Sequence, residues 1–173
     1  MKIRIFLAAF LALGVALPGR AETPRPQSDG YALLSGLCEK ERKADLVFII
    51  KDASDRTHAT TKKIARLYGR IGDDLKQWAD DDKTIQLKTP HLPALETEAR
   101  ELIDHSHQKQ LLEDTKGKAF EHLFMILQWQ SLWYGYSLTA TLIDHEDNPA
   151  RKQALRQHAK ELRALIDEVY NQT

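Results

Sequence analysis

The chain has 173 residues, with 25 Lys and Arg against 25 Asp and Glu, and is formally neutral at pH 7. That balance gives no electrostatic reason to expect nucleic acid or anionic lipid as a partner. Cys38 is the only cysteine, which excludes an intrachain disulfide and leaves an apolar core to hold the fold.

Lys2 and Arg4 make a basic start, Ile5 to Leu17 is uncharged and apolar, and Pro18-Gly19-Arg20-Ala21 resembles an A-x-A cleavage site. Residues 1–21 therefore read as a signal peptide cut between Ala21 and Glu22. The apolar run, at about 13 residues, is too short for a membrane span of about 20. Removal of Lys2, Arg4 and Arg20 leaves 22 basic against 25 acidic residues in an exported, periplasmic or secreted domain. Cys38 lies too far past the cut for lipid attachment and is expected as a small buried hydrophobe.

Residues 22–29 (ETPRPQSD) hold two prolines and no apolar side chain, and read as a flexible leader to a single helical domain over 30–173. The first helix should start at Ser28 or Asp29 and carry Tyr31, Leu34, Leu37, Cys38, Glu41 and Ala44 towards Val47 and Ile50. A second helical pattern, Ile64, Tyr68, Ile71, Leu75 and Trp78, ends in Asp80-Asp81-Asp82. The spacing runs unbroken between the two through Ser54, Thr57 and Thr61. Hydroxyls make a poor core seam, however, and a single helix of about 50 residues is unusual in a small domain. A tight turn at 52–56 is the favoured reading. Residues 83–94, with two prolines, form the longest connection.

A third helix follows over Leu95–Glu113, with the least regular pattern of the set, and Asp114-Thr115-Lys116-Gly117 breaks it. The fourth runs from Lys118 to Ile143. Asn148 and Pro149 then form an N-cap and first-turn pair that opens the last helix, with Leu155, Leu162, Leu165, Ile166 and Val169 inward. No strand-like alternation is present.

The fourth helix has 21 uncharged residues from Leu123 to Ile143, long enough for a membrane span. Its polar residues argue otherwise. At 100° per residue, Phe120, Phe124, Leu127, Ser131, Tyr134 and Leu138 share one face, and Ile126, Trp129, Trp133, Tyr136, Ala140 and Ile143 a nearly opposite one. Gln128 and Thr139 lie in one lane between these faces, Gln130 and Ser137 in the other. Two apolar faces separated by polar lanes suit a helix sandwiched between neighbours at the centre of a bundle, not one in lipid. The Trp129, Trp133, Tyr136 stripe is expected to be covered by another helix, the third being the candidate. The sharper alternative is an aromatic groove for an apolar ligand or partner helix. Gly69, Gly72 and Gly135, inside helical patterns, are expected to mark close helix approach.

Seven histidines invite a metal reading. The chain has no Glu-x-x-His, which di-iron bundles require on two helices. The densest set of metal-type ligands is Asp144, His145, Glu146 and Asp147. If the 52–56 turn lies at the same end of the bundle, Asp52, Asp55 and His58 approach it, with His58, Asp144, His145 and Asp147 the candidate ligands; a solvated acidic turn is the plainer reading. No haem motif, G-x-S-x-G or H-E-x-x-H is present, so neither a cofactor nor a catalytic set is expected.

The order of these segments, with G-K-A-F-E-H-L at 117–123 and R-x-x-A-x-E-L-R-x-L at 156–165, resembles uncharacterised exported bacterial proteins of the ferritin-like helical-bundle superfamily. The resemblance implies an up-and-down four-helix bundle with an additional helix in the crossover, and implies no activity. Metal-binding members of that superfamily carry inward carboxylate and His ligands that this chain lacks. The reading is an exported, non-catalytic bundle that binds a protein partner or a small apolar ligand. The alternative is a ferritin-like protein binding a divalent metal or cofactor.

Overall fold

The computed structural model describes residues 26–88 and 92–172. Its helices are α1 (Pro26–Glu41), α2 (Asp55–Asp81), α3 (Ala94–Lys109), α4 (Gly117–His145) and α5 (Pro149–Tyr170). A 3-10 turn (Ala44–Ile49) follows α1 and a π-helical turn (Gln110–Asp114) ends α3. There is no strand among the described residues. The expected signal peptide and residues 22–25 of the expected leader lie outside the described residues.

Residues 26–29, expected as leader, are instead the first turn of α1. Proline suits a first helical turn, where its missing N–H goes unused, and Asp29 sits where the helix dipole favours negative charge. The chain leaves the α-helix at Glu41 and passes through the 3-10 turn, so residues 31–82 do not form one helix. The Ser54 hydroxyl caps α2 by accepting from the Thr57 N–H at 3.3 Å. Of the hydroxyls expected to be unfit for the core, Ser54 is exposed, but Thr57 and Thr61 are buried, as is Thr60, because each finds an acceptor. Thr57 donates to Glu121 (2.7 Å), Thr60 to Glu168 (2.9 Å) and Thr61 to the Thr57 carbonyl (2.8 Å).

α1 packs on α2 and α4, and α5 packs on α4 and α2. The directions follow from side-chain pairs. Tyr31, early in α1, meets Trp78, late in α2 (ring centroids 6.2 Å), while Glu39, late in α1, pairs with Lys76 of α2. Glu41 meets Gln128 early in α4, and Tyr31 meets Glu146 just past its end, so α1 is antiparallel to both α2 and α4. Thr60–Glu168, Arg70–Glu161 and Asp74–His158 step in opposite directions along α2 and α5. One apolar cluster joins these four helices and takes no residue from α3.

In α4 the deepest lane is Phe124, Gln128, Leu132, Gly135, Thr139 and Leu142. The lane of Gln128 and Thr139, expected as a polar seam between two apolar faces, is therefore the one that meets the core. The other lane, with Gln130 and Ser137, is exposed. The two apolar faces flank the buried lane and are partly covered by α1 on one side and α5 on the other. Among the described residues no helix is long and apolar enough to cross a membrane.

Close helix approach is real at two of the three glycines. A Cβ built on Gly135 would stand 2.5 Å from the Tyr68 hydroxyl, and one on Gly72 would stand 3.2 Å from the Cys38 Cβ. Gly69 is different, with only the end of Arg42 at 4.0 Å.

Candidate functional site

Trp129, Trp133 and Tyr136 form a ladder of near-perpendicular rings, with centroids 6.1 Å apart for the first pair and 5.7 Å for the second. The Arg163 guanidinium of α5 lies 4.9 Å over the Trp133 ring. The stripe is thus covered by α5 and not, as expected, by α3. All three rings remain partly exposed, and each meets its neighbour edge to face. The indole N–H groups of Trp129 and Trp133 are buried without an acceptor.

The metal candidates do not converge. His58 sits near the start of α2 with its ring against Phe48 (4.1 Å), at the end where Ser54 and Thr57 meet Glu121 of α4. Asp144, His145 and Asp147 are exposed at the opposite end of α4, about 40 Å away at 1.5 Å per residue. Among the described residues no group of three or more His, Cys, Asp or Glu side chains is placed to hold a metal ion.

Two buried carboxyls shift in opposite directions. Glu146, in the α4–α5 turn, accepts from Arg151 Nε (2.9 Å) and Nη2 (3.1 Å), from the Asn148 N–H (2.7 Å) and from the Tyr31 hydroxyl. Arg151 also reaches Asp82 at the end of α2 (3.0 Å). Burial alone would raise the Glu146 pKa, but the hydrogen bonds from Arg151, Tyr31 and Asn148 outweigh it and hold the carboxyl below its ordinary range. Every oxygen is occupied, so Glu146 ties α1, α2, α4 and α5 together and leaves nothing to bind a ligand.

Glu41 is the opposite case. It ends α1, is 5% exposed, and has no cation within ion-pair distance among the described residues. Gln128 Nε2 donates to it at 3.1 Å, and the Ser131 hydroxyl faces it without closing a well-formed bond. Burial pushes its pKa up despite those two groups. The C-terminal end of α1, where the helix dipole is negative, also disfavours a carboxylate. Its neighbours are shut in as well: Tyr68 donates to the Ser131 carbonyl (2.9 Å), and burial pushes the Cys38 thiol far above its ordinary value. Glu41 stood in the apolar period of the first helix, which was a legible sign of a buried acid. For Glu146 the surrounding acidic turn hid that sign.

The remaining unusual feature is α3. Arg100 faces Tyr134 of α4, and Asp104 accepts from Lys40 of α1 at 2.6 Å, so the polar side of α3 faces the body. Leu95, Leu102 and Ile103 point away from it and are 78%, 67% and 52% exposed. The helix is amphipathic; its few contacts with the body are made from its polar side, and every residue of it except His107 is exposed.

The chain matches no family model, no curated protein and no solved structure. Function must be read from the side chains. Among the described residues, large apolar side chains are exposed on α3 (Leu95, Leu102, Ile103) and in the turn after α1 (Leu46, Ile49, Ile50).

Proposed function

We propose that this is an exported, non-catalytic helical scaffold that works by binding another protein through α3. In this reading α1, α2, α4 and α5 are a four-helix bundle of ferritin-like layout in which the crossover holding α3 joins the parallel helices α2 and α4, so the course is not the up-and-down one expected. The pairwise antiparallel packing supports the layout, and the basic, apolar and small-residue segments of residues 1–21 support export. The observation that carries the function is the inverted mounting of α3. An isolated helix of its length is marginal in water, and the exposed ion pair to Lys40 adds less than about 1 kcal/mol. A partner that covers Leu95, Leu102 and Ile103 supplies what the chain itself does not.

The test has two arms. Changing Leu95, Leu102 and Ile103 together to Gln is expected to alter unfolding stability by less than about 1 kcal/mol, as for exposed positions. A large loss would place these residues in the protein's own core and end the proposal. A photocrosslinking side chain at Leu102, in the exporting cell, is expected to yield a protein adduct, while one at the exposed Gln130 does not. No adduct at Leu102 refutes the reading. The Trp129 stripe is a weaker binding site because α5 partly covers it. A metal- or cofactor-binding protein is the alternative, and bound divalent metal in untagged protein would favour it.

A further inference from the structure

We infer that the partner of α3 is a second copy of the same helix, packed antiparallel about a two-fold axis near Leu102; this rests on the reading of α3 as a recognition surface. Leu95, Ala99, Leu102, Ser106 and Lys109 recur at alternating spacings of four and three, which is the seam of a two-helix coil. Ala99 and Ser106 are small, and each falls where the other copy's backbone comes close.

Charge decides the occupant and the direction. Away from the body the first half of α3 carries Glu96, Glu98 and Glu101 and the second half His105, His107 and Lys109; Arg100 and Asp104 turn to the body, and Arg100 also pairs with Glu96 at 2.7 Å. In an antiparallel pair centred on Leu102, Glu98 of one copy lies beside His105 and Lys109 of the other, and Glu96 beside His107. Each contact occurs twice, as two-fold symmetry requires. A parallel pair would set acid against acid. An anionic membrane surface is disfavoured by the same acids, which flank the apolar stripe where a membrane-lying helix carries Lys and Arg. Lys51, next to Ile50, reaches the Thr115 carbonyl just beyond α3 (2.8 Å). That brings the exposed Ile49 and Ile50 towards the end of α3 at which Leu95 of the other copy arrives. A contact of one helix pair is small, so the dimer is weak and concentration-dependent.

Sedimentation velocity of the exported protein across a concentration series tests this. A reversible monomer–dimer equilibrium is expected. Leu102→Glu puts two carboxylates face to face at the axis and should weaken the dimer by more than about tenfold. Glu98→Lys and Lys109→Glu should each weaken it severalfold, and the two changes in one chain should restore it, because they exchange the sign of both members of a pair. All three positions are exposed, so circular dichroism should show unchanged folding. A monomer at every concentration, or a dimer indifferent to Leu102→Glu, overturns the inference. If the Leu102 crosslinker still captures a different protein in that event, the recognition surface stands and only its partner is wrong. Failure of the charge exchange to restore association overturns the antiparallel arrangement.

Discussion

Replacing Gly135 with Ala sets two effects of opposite sign against each other. In an ordinary helix interior the change stabilises by about 1 kcal/mol, because glycine loses more backbone freedom on folding. At Gly135 the added methyl would lie 2.5 Å from the Tyr68 hydroxyl and 3.2 Å from both Leu37 Cδ2 and Tyr68 Cε1. Overpacking of this kind costs about 1–3 kcal/mol. Displacing Tyr68 also strains its bond to the Ser131 carbonyl, worth about 1 kcal/mol. The clash wins, and the net loss should be about 1–3 kcal/mol, or roughly 2–12 °C in Tm at about 2–4 °C per kcal/mol for a domain of this size. Gly36→Ala is the control: nothing lies within 4 Å of its added Cβ, so the same change in α1 should raise Tm by a few degrees. In a Tyr68→Phe background the 2.5 Å contact disappears and the penalty at Gly135 should shrink, giving a coupling of about 1 kcal/mol in a double-mutant cycle. Thermal and urea unfolding followed by circular dichroism reads all of these. Should Gly135→Ala stabilise as much as Gly36→Ala, α2 and α4 do not approach as described and the core packing is wrong.

Glu41→Gln is expected to stabilise the protein at neutral pH and leave it nearly unchanged in acid. A buried acid whose folded pKa lies above its ordinary value of 4.5 favours folding while protonated and loses that advantage as pH rises. The wild type minus variant difference in stability, measured from pH 4 to 8, isolates this group, and a difference that does not move with pH removes the buried acid from the account. Arg151→Ala strips the main partner from a carboxylate whose side chain is fully buried, at a cost of about 3–5 kcal/mol. Because the Glu146 pKa is lowered in the fold, its contribution is present above the ordinary 4.5 and fades below it, so the deficit should be largest near neutrality and narrow in acid. A deficit of equal size at pH 3 and pH 7 contradicts the pairing. Cys38 should react with a thiol reagent only at the rate of global unfolding, since burial both shields it and suppresses its thiolate. Rapid stoichiometric labelling of the folded protein would show the α1–α2 seam to be open.

Local features were legible in the residues because their causes lie within a few positions. Asn148 and Pro149 start α5, with the Asn148 side chain accepting from the Ala150 and Arg151 N–H groups at 3.0 and 3.2 Å. The polar residues of 52–56 mark a helix start, with Ser54 capping α2, but the first helix, expected to continue towards Val47 and Ile50, ends at Glu41. The period of three and four along Ile64, Tyr68, Ile71 and Leu75 marked a buried face, and those four side chains are at most 1% exposed. The all-helical class followed from such patterns. Chain direction and facing were not local. Which lane of α4 meets the core depends on where α1, α2 and α5 stand, and a periodicity with two apolar faces is symmetric between its lanes. Gln128 is buried because Glu41 arrives from α1, 87 positions away in the chain. Glu146 is buried because Tyr31 and Arg151 close over it, although Asp144, His145 and Asp147 around it are exposed. The two acidic turns could share a site only if they shared an end, and the parallel course of α2 and α4 separates them by the length of a helix. The outward mounting of α3 was equally invisible, because an amphipathic period shows that a helix has an apolar side without saying which way that side points. Only the ion pair from Lys40 to Asp104 and the contact of Arg100 with Tyr134, made across the fold, turn the polar side inward and leave Leu95, Leu102 and Ile103 for a partner.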